Sequence, residues 1–310
     1  MDKIKIGVVV LNYCTEKYTC DCVNAFLTGA NDSISIIIVD NGSADNSGQN
    51  LAAIYKENSQ VSVICNEKNL GFSRGMNIGY LYAKNTLVCD FIILSNSDVI
   101  MQTDDFDRII VSDYEKYGFA VLGPEIDNIN KNRSESNPYF NEMLSEREKY
   151  DLTRKKLFLR RIRLALAYVH AESIFDAARN RFSYLKKRLN RKSFSDKEPA
   201  AFGKKKSNDV VCDVALHGSI WIFSPKYVTK FDGLEEMTFA YQEEWLLYNR
   251  CKKSGLLAIY EPKIKVQHLG GGTVKKLGRN SRKSDMVRMK MQNESDTILL
   301  AYLKKTVTSN

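Results

Sequence analysis

The stretch Ser35-Ile36-Ile37-Ile38-Val39-Asp40-Asn41-Gly42-Ser43 sets a run of β-branched residues directly before an acid, an amide and a glycine. Continuous apolar residues, without polar alternation, mark a strand covered on both faces, as parallel strands are. The run Ile4 to Leu11 has the same character and is followed by Asn12 and Tyr13. Between them, Cys20 to Leu27 has helical composition. Beyond them, the pattern predicts a helix over Asn50–Glu57, a strand over Val61–Cys65, a helix over Gly75–Ala83 and a strand over Phe91–Leu94. Strand and helix in alternation predict a doubly wound, mostly parallel α/β sheet. Ligands of such sheets bind beyond the carboxyl ends of the strands. Asn12, Asp40-Asn41-Gly42-Ser43 and Asn96-Ser97-Asp98 all follow strands at those ends.

Residues 140–206 read differently. Strand signals are missing and cations dominate: seventeen Lys and Arg lie between Arg154 and Lys206 against four acids. The formal charge of the whole chain is +9, so this one segment supplies the basicity and the remainder is slightly acidic. Phe158, Ile162, Ala165, Leu166 and Val169 recur at helical spacing with Arg160 and Arg163 opposite, predicting a helix whose amphipathicity is imperfect, since Leu164 falls on the polar side. Phe182, Leu185 and Leu189 mark a second helix, and Ser193–Ser207 a linker. Strands return at Val210–Leu216 and Ile220–Phe223. A helix over Glu243–Ser254 follows, then two short strands at Leu257–Tyr260 and Ile264–Gln267, a loop at Gly270-Gly271-Gly272 and a final helix over Asp285–Leu303. The expected organisation is a first core half over 1–139, a basic helical insert over 140–206, a second core half over 207–275 and a helical tail over 276–310.

The 310 residues suffice for one large α/β domain with an insert. No apolar run reaches the roughly 18–20 residues that span a bilayer. Met1 to Tyr13 reads as a strand and lacks the cleavage site of a signal peptide, so the cytoplasm is the expected location. Cys14, Cys20, Cys22, Cys65, Cys89, Cys212 and Cys251 are scattered without a Cys-x-x-Cys pair, which excludes a disulfide framework or a structural zinc site and fits reduced thiols.

Four groups of residues have the chemistry of a site. Asp40 can accept hydrogen bonds from a ligand hydroxyl, while Asn41 and Gly42 permit a sharp turn; plain turn chemistry after a strand explains the same residues. Asn69-Leu70-Gly71-Phe72-Ser73-Arg74-Gly75-Met76-Asn77 opens a helix, where free amides and the helix dipole attract phosphate and Arg74 can pair with it. It lacks the Gly-Lys-Ser/Thr ending of a P-loop. Asp98 at a strand end suits a hard metal that also holds phosphate, or simply caps a turn. Glu243 and Glu244 start a helix, where acids are favoured by the dipole. Side chains of neighbouring residues point about 100° apart there, so one glutamate can face a cleft as a general base while the other braces. His268 follows a strand and precedes glycines, and His217 sits in Leu216-His217-Gly218-Ser219-Ile220-Trp221 at another strand end.

Five segments, taken in order, resemble the family 2 glycosyltransferases of the GT-A fold, with the nearest likeness to enzymes that build bacterial capsule or O-antigen chains. They are Val9-Val10-Leu11-Asn12-Tyr13, Val39-Asp40-Asn41-Gly42-Ser43-Ala44-Asp45, Asn69 to Asn77, Asn96-Ser97-Asp98 and Tyr241-Gln242-Glu243-Glu244. The resemblance covers residues 4–126 and 210–275. It implies Leu11, Asn12, Tyr13, Asp40, Asn41, Gly42, Asn69, Gly71, Phe72, Arg74 and Asn77 around a nucleoside diphosphate sugar, uridine or thymidine type foremost. It also implies Asn96, Ser97 and Asp98 near the diphosphate, with Mg2+ or Mn2+ held by Asp98 and His268. Glu244 takes the place of the base, with Glu243 as the alternative, and the anomeric centre inverts. His217, Gly218, Ser219 and Trp221 fall on the acceptor side. Asn96 stands where the family's metal motif has its first aspartate, and Trp245-Leu246 follows the glutamates where an acid is often found.

The resemblance further implies a glycan acceptor carried on a polyprenyl diphosphate. The insert over 154–206 is then expected to meet an anionic membrane surface from the cytoplasmic side; a solvated hairpin over the core or a dimer contact are its plainer uses. Three rivals remain in view. A nucleotidyltransferase needs a Gly-rich triphosphate loop where Leu11-Asn12-Tyr13 stands. A nucleic-acid-binding protein needs more interleaved aromatics than Phe182 and Tyr184 provide, so no nucleic acid is expected. A degenerate, binding-only transferase is suggested by Asn96.

Overall fold

The computed structural model describes residues 4–30, 34–128, 137–171, 181, 208–270 and 281–307. The expectations for Phe182, Leu185 and Leu189, for the linker and for Gly271-Gly272 lie outside them. The chain divides into two compact units, one of Met1–Ser145 with Ser207–Arg279, the other of Glu146–Lys206 with Asn280–Asn310.

The first unit is built on β1 (Ile6–Asn12), β2 (Ile34–Asp40), β3 (Val61–Cys65), β4 (Phe91–Asn96), β5 (Val99–Met101), β6 (Val121–Asn128), β7 (Val211–Cys212), β8 (Ile220–Phe223) and β9 (Ala258–His268). Their order is β3-β2-β1-β4-β8-β6-β9-β5, with β7 on β9. The pairings β1–β2, β1–β4, β2–β3 and β6–β9 are parallel, while β8, β5 and β7 run against their neighbours. Helices α1 (Glu16–Gly29), α2 (Ser47–Ile54), α3 (Phe72–Asn85), α4 (Phe106–Tyr117), α6 (Pro225–Val228) and α7 (Glu243–Lys253) complete the unit.

Both faces of the sheet are covered, as the unbroken apolar runs require. Val8, Val10, Ile36, Ile38 and Ile93 join one buried cluster with Phe26 of α1, Leu51 of α2 and Ile110 of α4. Val9, Ile37, Val39, Ile92 and Leu94 join the other with Tyr80 of α3, Tyr227 of α6 and Leu247 of α7. Alternate residues of one strand thus feed opposite layers.

Two strand expectations change. Of Val210–Leu216 only Val211 and Cys212 pair, because Asp213 takes a left-handed conformation (φ 56°) and ends the extended run. The two short strands before the glycines are one, β9. Pro262 within it is accommodated where the register against β6 shifts, between Pro124 and Glu125.

The second unit pairs α5 (Glu146–Tyr168) with α8 (Ser281–Val307). Arg160 meets Asp296 at 2.6 Å, and Lys290 lies over Tyr168, so the helices run antiparallel. The insert helix and the tail helix therefore belong to one body. The stripe of Phe158, Ile162 and Val169 is not the face that α5 buries. Thr153, Leu157 and Ala167 are buried and Arg160 is half-buried, while Phe158 is 64% and Val169 70% exposed. The reason is a second apolar stripe. At 100° per residue, Leu157, Leu164 and Ala167 gather on one side and Phe158, Ile162, Ala165 and Val169 on nearly the opposite one. Arg160 points inward because a wholly buried carboxylate on α8 awaits it.

Candidate active site

β1, β2, β4 and β9 end, and β5 and β8 begin, along one edge of the sheet. That edge collects the polar residues singled out in the sequence. Asn12 is its first hub. Wholly buried, it donates to Asp40 Oδ1 (2.6 Å) and Ser47 Oγ (3.0 Å). Its Oδ1 accepts from the hydroxyls of Thr15 (3.0 Å) and Thr19 (2.7 Å). Thr15 in turn shares a hydrogen bond with Ser97 at 2.9 Å, which carries the network from β1 to the turn bearing Asp98.

Asp40 also accepts from the Ser43 backbone (3.1 Å) and hydroxyl, and is 3% exposed. A Cβ on Gly48 would stand 2.7 Å from its Oδ2, so the carboxylate is walled in by the first turn of α2. Its oxygens accept from Asn12 and Ser43. Asn41 works the same way. Its Nδ2 donates to Asn69 Oδ1 (3.1 Å) and Gly71 O (3.0 Å), and its Oδ1 accepts from Leu70 N (3.1 Å) and Asn66 Nδ2 (3.3 Å). One amide thus clamps the turn after β2 to the loop that opens α3. Gly42 (φ 72°) abuts the Lys68 backbone so tightly that no side chain fits.

The start of α3 is tied to the segment before α7. Phe72 N donates to Phe239 O (2.7 Å), and Gly71 (φ 87°) lies against the same carbonyl. Asn77 uses its amide on Leu234 N (2.7 Å), Leu234 O (2.9 Å) and Glu236 (2.9 Å), so it anchors this segment. Arg74 faces Glu236 at 3.6 Å with both side chains half exposed. Such a pair is worth about 1 kcal/mol or less, so Arg74 is cheaply released to a phosphate. Leu11 is half-buried against the start of α3, and Tyr13 is half-buried beside Asn12.

The second hub lies at β4, β8 and β9. Asp98 and His268 sit 3.3 Å apart, Oδ1 to Nε2. Asn96 N donates to Ser219 O (2.9 Å), and His217 Nδ1 lies 3.1 Å from Ser219 Oγ. The rings of His217 and His268 are 5.9 Å apart. Glu244 fills the space above Gly218: a Cβ there would come within 2.8 Å of Oε1. A continuous path therefore runs Asp98, His268, His217, Gly218, Glu244. Trp221, grouped with the acceptor side in the sequence, is fully buried, donates to Leu216 O (3.3 Å) and packs edge-on against Phe72. Its direction follows from the two-residue period: in β8 it shares a face with Phe223.

The two glutamates part ways. Glu243 is 7% exposed, and its Oε1 finds no partner among the described residues. Burial, then the charge of Glu244, pushes its carboxyl up to about 8. The helix N-terminus favours the ion by only about 1 kcal/mol, whereas an unpaired buried charge costs several, so the neutral form wins. Tyr241 (φ 71°) and Gln242 (φ 80°) just before it are both left-handed, a concentration of backbone strain common at functional sites. Ser43 belongs to the polar cluster read in the sequence, whereas the hydroxyls of Thr15 and Thr19 had no signal there beyond their spacing from Asn12.

A doubly wound sheet with acids, amides and histidines gathered at its carboxyl edge is the GT-A architecture. The family model "Glycosyl transferase family 2" matches residues 6–189, more than half of the chain, and the protein belongs to that family. It is 33% identical over 135 residues to the glycosyltransferase GlyG of Streptococcus pneumoniae serotype 4, a match covering 44% of this chain and 42% of that protein. A glycosyltransferase of Haemophilus influenzae is 30% identical over 74 residues, covering 24% and 23%. The chain spans less than half the length of these curated relatives. Among solved structures, Staphylococcus aureus TarS 1–349 matches at 20% identity and a TM-score of 0.35, over 41% of this chain and 37% of that one. Its complex with UDP-GlcNAc matches at a TM-score of 0.36, over 41% and 36%.

Proposed function

We propose that the protein transfers a sugar from a nucleoside diphosphate sugar, of the UDP or dTDP type, to a hydroxyl of a glycan acceptor, with inversion and with Glu244 as the general base. The observation that supports this most is the path from Asp98 through His268, His217 and Gly218 to Glu244, which brings the second-half glutamate to the edge where Asn12, Asp40 and Asn96 end their strands. Family membership supports the reaction class.

In this mechanism, the loop fixed by Asn41 and the start of α3 cradle the diphosphate, and Arg74 exchanges Glu236 for it. Glu244 accepts the proton of the acceptor hydroxyl as its oxygen attacks the anomeric carbon from the face opposite the diphosphate. A single displacement of this kind inverts that carbon.

The residues fit a divalent cation in part. Two ligands at right angles on an ion with bonds of about 2.1 Å stand about 3 Å apart, close to the spacing of Asp98 and His268. Among the described residues no group of three or more His, Cys, Asp or Glu gathers to hold a metal, and in this reading diphosphate oxygens and water complete the coordination. Such an ion, Mg2+ or Mn2+, would offset charge on the leaving group. Asn96 supplies a neutral amide where a second carboxylate would add affinity.

A panel of sugar nucleotides, scored by thermal shift with Mg2+, Mn2+ and chelator, tests donor binding. Glu244→Gln should lower kcat at least a hundredfold while donor binding survives. Near-normal turnover by that variant would remove Glu244 from the role.

The outward stripe of α5 favours a membrane-borne, polyprenyl diphosphate-linked acceptor at the cytoplasmic face. Phe158, Ile162 and Val169 are exposed together, and residues 154–171 carry six cations and no acid. Apolar residues flanked by cations suit an anionic bilayer surface, each cation adding about 1 kcal/mol. Phe158→Glu should reduce flotation with anionic vesicles; equal flotation of variant and native protein would remove the membrane from the reading.

A further inference from the structure

We propose that Glu243 is a positioning residue which holds a proton, leaving Glu244 as the sole charged carboxylate at the start of α7 and allowing that helix end to close against the first turn of α3. This rests on the reading of Glu244 as the base.

The geometry makes the case. Adjacent residues at a helix start diverge, and here Glu244 takes the side of Gly218 while Glu243 turns into a narrow niche. Ser73 of α3, Tyr227 of α6, Glu235 before α7, and Leu246 and Arg250 of α7 line it. The niche has no room for a water molecule. Glu243 Oε1 and Ser73 Oγ are both buried there without a hydrogen-bond partner among the described residues.

The charged and titratable groups around Glu243 are Glu244, Glu235, Arg250 and Tyr227. Only Arg250 could balance a carboxylate, and it is engaged. It pairs with Glu235 (3.1 Å) and donates to Gly233 O (2.6 Å) and Tyr227 Oη (2.9 Å). An ionised Glu243 would therefore face Glu235 and Glu244 with neither water nor a counterion, whereas the neutral acid fits the niche as it stands. Burial and the neighbouring Glu244 raise the carboxyl to about 8, in the same direction.

Loss of that proton places a second negative charge between α7 and α3, and the helix end that aims Glu244 must move. The folded protein thus holds a proton that the unfolded chain releases near 4.5, so stability declines as pH rises from about 5 to about 8 and levels above. The sugar-transfer rate falls with a midpoint near 8.

The experiment compares native protein with Glu243→Gln, which keeps the shape and cannot ionise. Thermal midpoints are read from pH 5 to 9, and kcat from pH 6 to 9.5 with whichever sugar nucleotide turns over. The variant should show a shallower decline of thermal midpoint between pH 5 and 8, and its ratio of kcat at pH 9 to kcat at pH 7 should rise several-fold. Unchanged pH profiles overturn the proposal. So does a folded, donor-binding variant inactive at every pH, since Glu243 would then be the base. Glu243→Met serves if the Gln variant does not fold. The thermal series decides even where no sugar nucleotide is consumed, which separates failure of this proposal from failure of the assigned reaction.

Discussion

Gly218→Ala probes the assignment of Glu244 most directly. The glycine has no left-handed φ, so alanine is permitted by its backbone. Its new methyl would stand 2.8 Å from Glu244 Oε1, where ordinary contact begins at 3.4 Å. The carboxylate must withdraw by about 0.6 Å. Misplacement by 1 Å costs on the order of a hundredfold in rate, so about tenfold is expected here, or about 1.4 kcal/mol of transition-state stabilisation. Stability should hardly change, because the displaced atoms are the end of a flexible side chain and alanine restricts the unfolded chain slightly. The assay is steady-state kcat/KM alongside thermal unfolding and donor affinity. Combined with Glu244→Gln, the alanine should add no further loss, since the group it disturbs is already disabled. A folded Gly218→Ala protein within twofold of native activity, or a fully additive double variant, would refute proton transfer by Glu244 from this position.

Asn41→Ala removes four side-chain hydrogen bonds from a buried amide and should lower stability by about 2–4 kcal/mol in urea denaturation; a loss under 0.5 kcal/mol would show that the two loops hold themselves. Asp296→Ala strands Arg160 inside the helical pair and should cost about 3 kcal/mol, seen as faster amide exchange across α5 and α8, with Arg160→Met restoring part of it. Burial, the hydrogen bond its protonated form donates to Glu261 and the charge of that glutamate raise the carboxyl of Asp113 from 3.8 to about 7. The stability this contributes is complete below about pH 4 and is lost as pH rises to about 7, so Asp113→Asn should flatten the decline of the urea midpoint over that range.

The strands buried on both sides were legible because nothing but a parallel core explains runs such as Ile36 to Val39. Their polar ends picked out the residues that the structure gathers along one edge of the sheet. Residues 99–128 escaped: β5 has three residues, and β6 passes through Pro124 and Glu125, which mask its apolar period. Helix starts were read three residues late at both α2 and α3, since Ser47 and Phe72 precede the periodic part. In α5 two apolar stripes competed, and only the buried Asp296 of a helix far along the chain decides which turns inward. The inward turn of Asn77 depends on Leu234 and Glu236, 157 and 159 residues away, which no local pattern encodes.

The tether between Asn77, Phe72 and the stretch from Leu234 to Phe239 has a practical consequence for anyone swapping specificities between relatives. A graft taken at the apparent midpoint of the chain would separate the α3 start from the carbonyls and amides it was matched to. Hybrids that transplant residues 69–77 and 233–242 as a pair should fold, and those that move either stretch by itself should come apart at that seam.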